Sequence, residues 1–173
     1  GAGGTGGSRE SVTGVCSGWL QRIAGGIMHR LTKTVQQVLT RKPHGVVTIP
    51  PDATVYDALV LMAEHDIGSL VVMEGDRLAG IFSERDYARQ VALVGKSSKE
   101  TRVREIMTHK VICIGPGQTV DDCMGLMTAK RIRHLPVLDH KKVVGLISIG
   151  DVVKEVISGQ QAMIEQLEQY IHS

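Results

Sequence analysis

PDATVYDALVLMAEHDIGSLVVMEGDRLAGIFSERDYAR (residues 51–89) and PGQTVDDCMGLMTAKRIRHLPVLDHKKVVGLISIGDVVK (residues 116–154) are one pattern written twice. They align at a constant offset of 65 with no gap: Pro51 falls on Pro116, Thr54 on Thr119, Val55 on Val120 and Asp57 on Asp122. Further along, Leu61 and Met62 fall on Leu126 and Met127, and Gly80, Ser83 and Asp86 on Gly145, Ser148 and Asp151. A unit repeated once rarely buries its apolar face alone. Two copies are therefore expected to pack into one core, with equivalent clefts between them.

Within each copy the hydrophobic period switches between helix and strand. In the first, Val46–Ile49 reads as a short strand ended by Pro50 and Pro51, and Thr54 opens a helix with Val55, Ala58, Leu59 and Met62 on one face. Ser69–Met73 and Leu78–Phe82 read as strands around the turn Glu74-Gly75-Asp76, and Ser83 starts a second helix. The second copy gives Val111–Ile114, a helix from Val120, Leu135–Leu138, Val143–Ile147 around Asp139-His140-Lys141, and a helix from Ser148. Each unit is thus β-α-β-β-α. The last helix carries the stripe Val153, Val156, Ile157, Ile164, Leu167 and Ile171, which suits core or a dimer interface, with Gly159 as a point where it breaks.

Upstream, residues 1–15 are rich in Gly, Ser and Thr and read as a flexible arm, while Cys16, Trp19, Leu20, Ile23 and Ile27 are spaced as one helical face. Leu31, Val35, Val38 and Leu39 suit a short approach helix, and TRVREIMT (101–108) echoes TVQQVLT (34–40). The expected organisation is an arm over 1–30, a first unit over 31–93, a connector with its approach helix over 94–108, a second unit over 109–158 and a terminal helix over 159–173. The fold class is α/β of the α+β type, two tandem units packed pseudo-symmetrically with helices flanking them.

Composition narrows the function classes. At 173 residues, 42% hydrophobic and 22% charged, the chain is an ordinary globular one. A net charge of +2 gives no reason to expect nucleic acid or an anionic membrane as partner. Nothing approaches the run of about 20 apolar residues that spans a bilayer. Three cysteines, Cys16, Cys113 and Cys123, form no CxxC pair, so a reducing cytoplasmic compartment is expected, and the Cys113 and Cys123 thiols read as buried and inert. Gly1 rather than Met begins the sequence, which is compatible with a trimmed leader. Seven histidines lack metal-ligand spacing, so no metal site is expected. Gly1-Ala2-Gly3-Gly4-Thr5-Gly6 spells a dinucleotide fingerprint without the strand and helix that give it meaning, and no catalytic triad suggests itself.

The residues that attract chemistry are the two helix starts Gly80-Ile81-Phe82-Ser83-Glu84-Arg85-Asp86 and Gly145-Leu146-Ile147-Ser148-Ile149-Gly150-Asp151. Two readings fit them. In the first, Ser-x-x-Asp is a capping box, as is Thr-x-x-Asp at Thr54 and Thr119. In the second, a strand runs straight into a helix N-terminus whose free N–H groups favour an anion. Glycine three residues earlier leaves space beside the strand, and Asp offers two acceptor oxygens for the two hydroxyls of a ribose.

The order and duplication of these motifs, with RIRHLPV at 131–137, resemble a CBS domain, and the two copies resemble a stand-alone CBS pair (Bateman module) over roughly residues 34–158. That resemblance implies clefts for adenosyl ligands, AMP foremost and NAD, ATP or S-adenosylmethionine as further choices, bound by a sensor rather than a catalyst. It implies ribose contacts from Asp86 and Asp151, phosphate contacts from Ser83 and Ser148, and adenine flanked by Val47, Thr48 and Ile49 and by Ile112, Cys113 and Ile114. It further implies basic phosphate contacts from Arg133 and His134, with Lys130 and Arg131 nearby. Two departures stand out. The family's second hydroxyl before the Asp is replaced by Arg85 and Gly150, Arg85 offering charge instead, and the first-copy counterparts of Arg133 and His134 are Gly68 and Ser69. Unequal sites are expected. A homodimer acting on a protein partner, without a catalytic cofactor, is the implied assembly, and a ligand-free dimerisation or adaptor scaffold is the alternative.

Overall fold

A computed structural model of the chain describes residues 33–43 and 45–172. The expectations for the arm and for the Cys16–Ile27 face lie outside the described residues. Helix α1 spans Val35–Arg41, strand β1 Thr48–Ile49, helix α2 Val55–His65, and strands β2 Ser69–Glu74 and β3 Arg77–Ser83. Helix α3, Glu84–Tyr87, continues as a π-helix over Ala88–Ala92, and α4 is Val103–Ile106. The second copy supplies α5 Val120–Lys130, β4 His134–Asp139, β5 Lys142–Ser148 and α6 Ile149–His172.

Short apolar runs buried on both faces make each hairpin, and its turn sets the register. β2 pairs antiparallel with β3 from Ser69↔Ser83 to Glu74↔Arg77, and β4 with β5 from His134↔Ser148 to Asp139↔Lys142. The first turn places Gly75 at φ 61°, where glycine has no steric penalty, whereas the second holds His140 and Lys141 at φ 48° and 67°. The two 11-residue helices, α2 and α5, end on a left-handed residue, Asp66 and Arg131, again at matching places.

The expected leading strands form only in part. In the first copy Val71 donates to the Val47 carbonyl at 3.3 Å, and β1 runs parallel to β2. In the second, Ile114 donates to Pro136 O at 3.0 Å and accepts from Leu138 N at 2.8 Å, and the pairing stops at this single bridge. Proline is the cause: Pro136 stands where Val71 stands and has no N–H to reach Ile112. Ile112 and Cys113 therefore do not belong to a strand. Gly159, expected to interrupt the last helix, does not, and α6 runs unbroken for 24 residues.

The approach helices are exchanged. Lys33–Arg41, which precedes the first copy, docks on the second: Val35 N donates to Gln118 O at 2.8 Å, Gln36 N to Pro116 O at 3.0 Å, and Val120 N to Lys33 O at 3.0 Å. The segment before the second copy makes the same three bonds to the first, Val103 N to Ala53 O (2.9 Å), Arg104 N to Pro51 O (3.0 Å) and Val55 N to Thr101 O (2.9 Å). Val103, Ile106 and Met107 thereby complete the core of Val55, Ala58, Met62, Leu70, Val72 and Phe82. This exchange is the pseudo-symmetry that the repeat predicts, and neither copy closes its core without the other's lead-in.

Candidate functional site

The two Ser-x-x-Asp segments form matching helix starts. Ser83 Oγ accepts from Asp86 N (3.3 Å), while Asp86 Oδ2 accepts from Ser83 N and Ser83 Oγ, both at 2.9 Å. Ser148 and Asp151 repeat this at 3.2, 2.8 and 3.0 Å. The residue after each Ser donates its N–H across the strand start, Glu84 to Gly68 O (3.1 Å) and Ile149 to Arg133 O (2.8 Å). Thr54 and Thr119 also cap as expected, though only Thr119 completes a reciprocal box. The capping box is therefore realised at three of the four starts, and Thr54 caps without it. It does not use up the carboxylates: among the described residues, every bond to Asp86 and Asp151 falls on Oδ2.

The glycines do something other than expected. A Cβ on Gly80 would sit 2.7 Å from Thr108 O and 2.9 Å from Met107 Sδ, and one on Gly145 would sit 2.4 Å from Leu39 Cδ2. The space beside each strand is filled by the exchanged lead-in, so these glycines serve the packing of the two copies and leave no gap for a ligand.

The lead-in also delivers a residue that motif reading passed over. Lys42 Nζ lies 2.8 Å from Asp151 Oδ2 and 2.7 Å from Leu146 O. Val35, Val38, Val120, Cys123, Ile147 and Val152 line, together with Asp151, a crevice that has no room for a water molecule. Burial works to raise the Asp151 carboxyl, but the bonds from Lys42 and Ser148 outweigh it and hold the group below the usual carboxylate range. Leu146 has as its counterpart Ile81, which pairs instead with the main chain of Thr108 at 3.1 and 2.8 Å. Lys110 ends the second lead-in as Lys42 ends the first, yet it is exposed and no ion pair joins it to Asp86 among the described residues. The available signal was the echo between the lead-ins, carried on to their terminal lysines.

Of the other expected residues, His134 pairs with Ser148 across the hairpin and is half-buried, with Lys42, Arg133, Asp151 and Asp86 all within its electrostatic reach. Burial first, then Lys42 and Arg133, pushes its imidazole below its ordinary value, against Asp151 and Asp86. Its counterpart Ser69 is buried opposite Ser83. Arg85, Lys130, Arg131 and Arg133 are exposed and enter no ion pair among the described residues. Val47 is half-buried, Thr48 exposed and Ile49 buried, while Ile112 and Cys113 are half-buried ahead of buried Ile114. Burial raises the Cys113 thiol and pushes Cys123 up to about 12, so both are poor nucleophiles. No group of three metal-ligating side chains occurs among the described residues, and no helix there is long and apolar enough to cross a membrane.

Comparison with known proteins agrees with this architecture. The CBS-domain family model matches residues 35–93 and 103–158. A mitochondrial CBS domain-containing protein of Arabidopsis thaliana, CBSX3, is 46% identical over 125 residues, which is 69% of this chain and 61% of that protein. A solved structure of a Burkholderia ambifaria protein with CBS domains, assigned provisionally to signal transduction, has 56% identity and a TM-score of 0.71, covering 74% of this chain and 96% of its own. A hexameric CBS-CP12 protein from bloom-forming cyanobacteria follows at 34% identity and TM-score 0.64, over 71% of this chain and 67% of its own. With the matched family model, the exchanged lead-ins and the doubled helix starts in agreement, the chain belongs to the CBS-domain family and carries two CBS domains.

Proposed function

We propose that this chain is a regulatory sensor that binds an adenosyl nucleotide, AMP foremost, with NAD, ATP and S-adenosylmethionine as the other members of the class. The observation that carries this reading is the recurrence of one helix start, Ser-x-x-Asp with an unbonded Oδ1, at matching ends of both hairpins. Asp86 and Asp151 would hold ribose hydroxyls, and Ser83 and Ser148 would lie by the phosphate. Val47–Ile49 and Ile112–Ile114 would flank adenine, and Arg85, Lys130, Arg131, Arg133 and His134 would meet phosphate charge. The chain then acts by shape rather than by turnover, as a homodimer whose terminal helices pass the ligand state to a partner protein. The cytoplasm is the proposed compartment. Because the Arabidopsis relative is named as mitochondrial, cell fractionation is the measurement that decides it.

Thermal unfolding with each nucleotide tests the reading. Ligand at roughly a hundred times its Kd stabilises by about 2.7 kcal/mol, a shift of about 5–10 °C for a chain of this length. A shift with one compound identifies the ligand. The second reading, a ligand-free scaffold, is favoured by the closure of Lys42 and α1 over Asp151. It predicts no shift with any of the four compounds.

A further inference from the structure

Helix α6 turns one side to its own body and presents a different, regular side outward. Val152 is buried, Glu155 is held by Lys33 at 2.6 Å, and Gly159 is half-buried, so these three mark the inner side. Val153, Ile157, Gln160, Ile164, Leu167 and Ile171 lie about a third of a turn around the helix from them, at alternating steps of four and three residues. That is the 3.5-residue period of a coiled-coil seam, with Ile157, Ile164 and Ile171 in one core position and Val153, Gln160 and Leu167 in the other. The five apolar members are between 48% and 75% exposed. A helix of 24 residues extends about 36 Å, long enough to lay this seam along a partner.

We infer that the seam pairs with the same helix of a second copy, antiparallel. In that arrangement every layer is matched: Val153 meets Ile171 of the second copy, Ile157 meets Leu167, and Gln160 meets Ile164, each twice by symmetry. The flanking position beside Val153, Gln160 and Leu167 holds Lys154, Gln161 and Glu168. Antiparallel pairing sets Lys154 against Glu168 of the second copy, also twice, with Gln161 facing itself near the axis. A parallel pair would set Met163 against Glu168 and Val156 against Gln161, and would bury two Gln160 side chains against each other. Charge complementarity thus selects both the occupant, a second copy, and its direction. The pairing names the surface behind the dimer of the proposed function without depending on nucleotide.

Light scattering of the full chain tests it. The expected mass is twice 18.7 kDa or an even multiple of it. Leu167→Asp and Ile164→Asp, at exposed positions, should halve that mass while leaving the circular dichroism unchanged. Lys154→Glu and Glu168→Lys should each weaken self-association about three- to tenfold, and the two together should restore it. A monomeric wild type, or a dimer indifferent to Leu167→Asp, overturns the proposal, the latter because another face then holds the dimer. Failure of the double charge variant to recover overturns the antiparallel direction. The nucleotide-induced thermal shift is read separately, so loss of either result leaves the other interpretable.

Discussion

Lys42 Nζ lies 2.8 Å from Asp151 Oδ2, whereas Asp86, the same residue of the other copy, accepts among the described residues only from its own cap at Ser83. The difference originates one turn beyond the lead-in helices. Thr108 pairs its main chain with Ile81, which directs Lys110 to solvent, while the Leu146 carbonyl takes the Lys42 ammonium instead. One sequence pattern thus yields two electrostatic environments. A cation compensates one carboxylate, and no side-chain cation is paired with the other among the described residues.

Lys42→Met should therefore act on one site only. Nucleotide binding at Asp151 should strengthen, because the ligand no longer competes with an internal ammonium, while binding at Asp86 stays as it was. Stability without ligand should fall by about 1–3 kcal/mol, since the half-buried Asp151 carboxylate loses a charged hydrogen-bond donor. Calorimetry resolves this. Two identical, independent sites in the wild type, or isotherms unchanged by the substitution, would remove the asymmetry.

Asp86→Asn and Asp151→Asn separate capping from ligand contact. Asn keeps an oxygen to accept from Ser83 or Ser148, so both caps persist, and Asp86→Asn should cost little, whereas Asp151→Asn also gives up the Lys42 ion pair and should cost about 1–3 kcal/mol. Ribose binding needs the charged acceptor, so the double variant should lose the nucleotide-induced thermal shift while its own melting curve stays cooperative. Retained affinity in that variant would refute the ribose assignment.

Much of this was legible because the chain is duplicated. Each hairpin strand lies within one residue of its expectation, since short apolar runs bounded by tight turns fix both extent and register. What escaped depends on which copy meets which. The echo between 34–40 and 101–108 showed that the lead-in was duplicated, but only the folded chain shows that Leu39 crosses to Gly145 and Met107 to Gly80. Ile112 and Cys113 were misread for a different reason: their β-branched and thiol character suits a strand, yet the absence of one N–H, at Pro136, ends the ladder. The distant proline outweighs local propensity.

Acid should weaken the fold in two steps with different owners. His134 has its folded value lowered by burial, then by Lys42 and Arg133, against Asp151 and Asp86. The unfolded imidazole, near 6.5, therefore takes up a proton before the folded one does, and stability that is complete above that pH declines below it. Asp151 is also lowered, so its contribution is complete above the unfolded value of 3.8 and disappears as pH falls through the lower folded value. Denaturant melts over a pH series should show the first step vanish in His134→Gln. Lys42→Met should shrink the second. A step near neutrality that survives in His134→Gln assigns it to another group.

Gly80 and Gly145 are equivalent by sequence but should not be equivalent to mutation. A methyl on Gly80 meets the Thr108 carbonyl oxygen, a main-chain atom held in a pair of hydrogen bonds to Ile81, and retreating from it breaks that bridge. A methyl on Gly145 meets Leu39, at Cδ2, Cδ1 and Cγ, a half-buried side chain that is free to change rotamer. Gly80→Ala is expected to cost about 1–3 kcal/mol, the range for overpacking a filled site. Gly145→Ala should cost less and should couple to Leu39. The double variant Gly145→Ala/Leu39→Ala, which replaces the clashing branch by a small side chain, should be more stable than the sum of its parts predicts. Additive costs there would mean that Leu39 does not cross to the second copy.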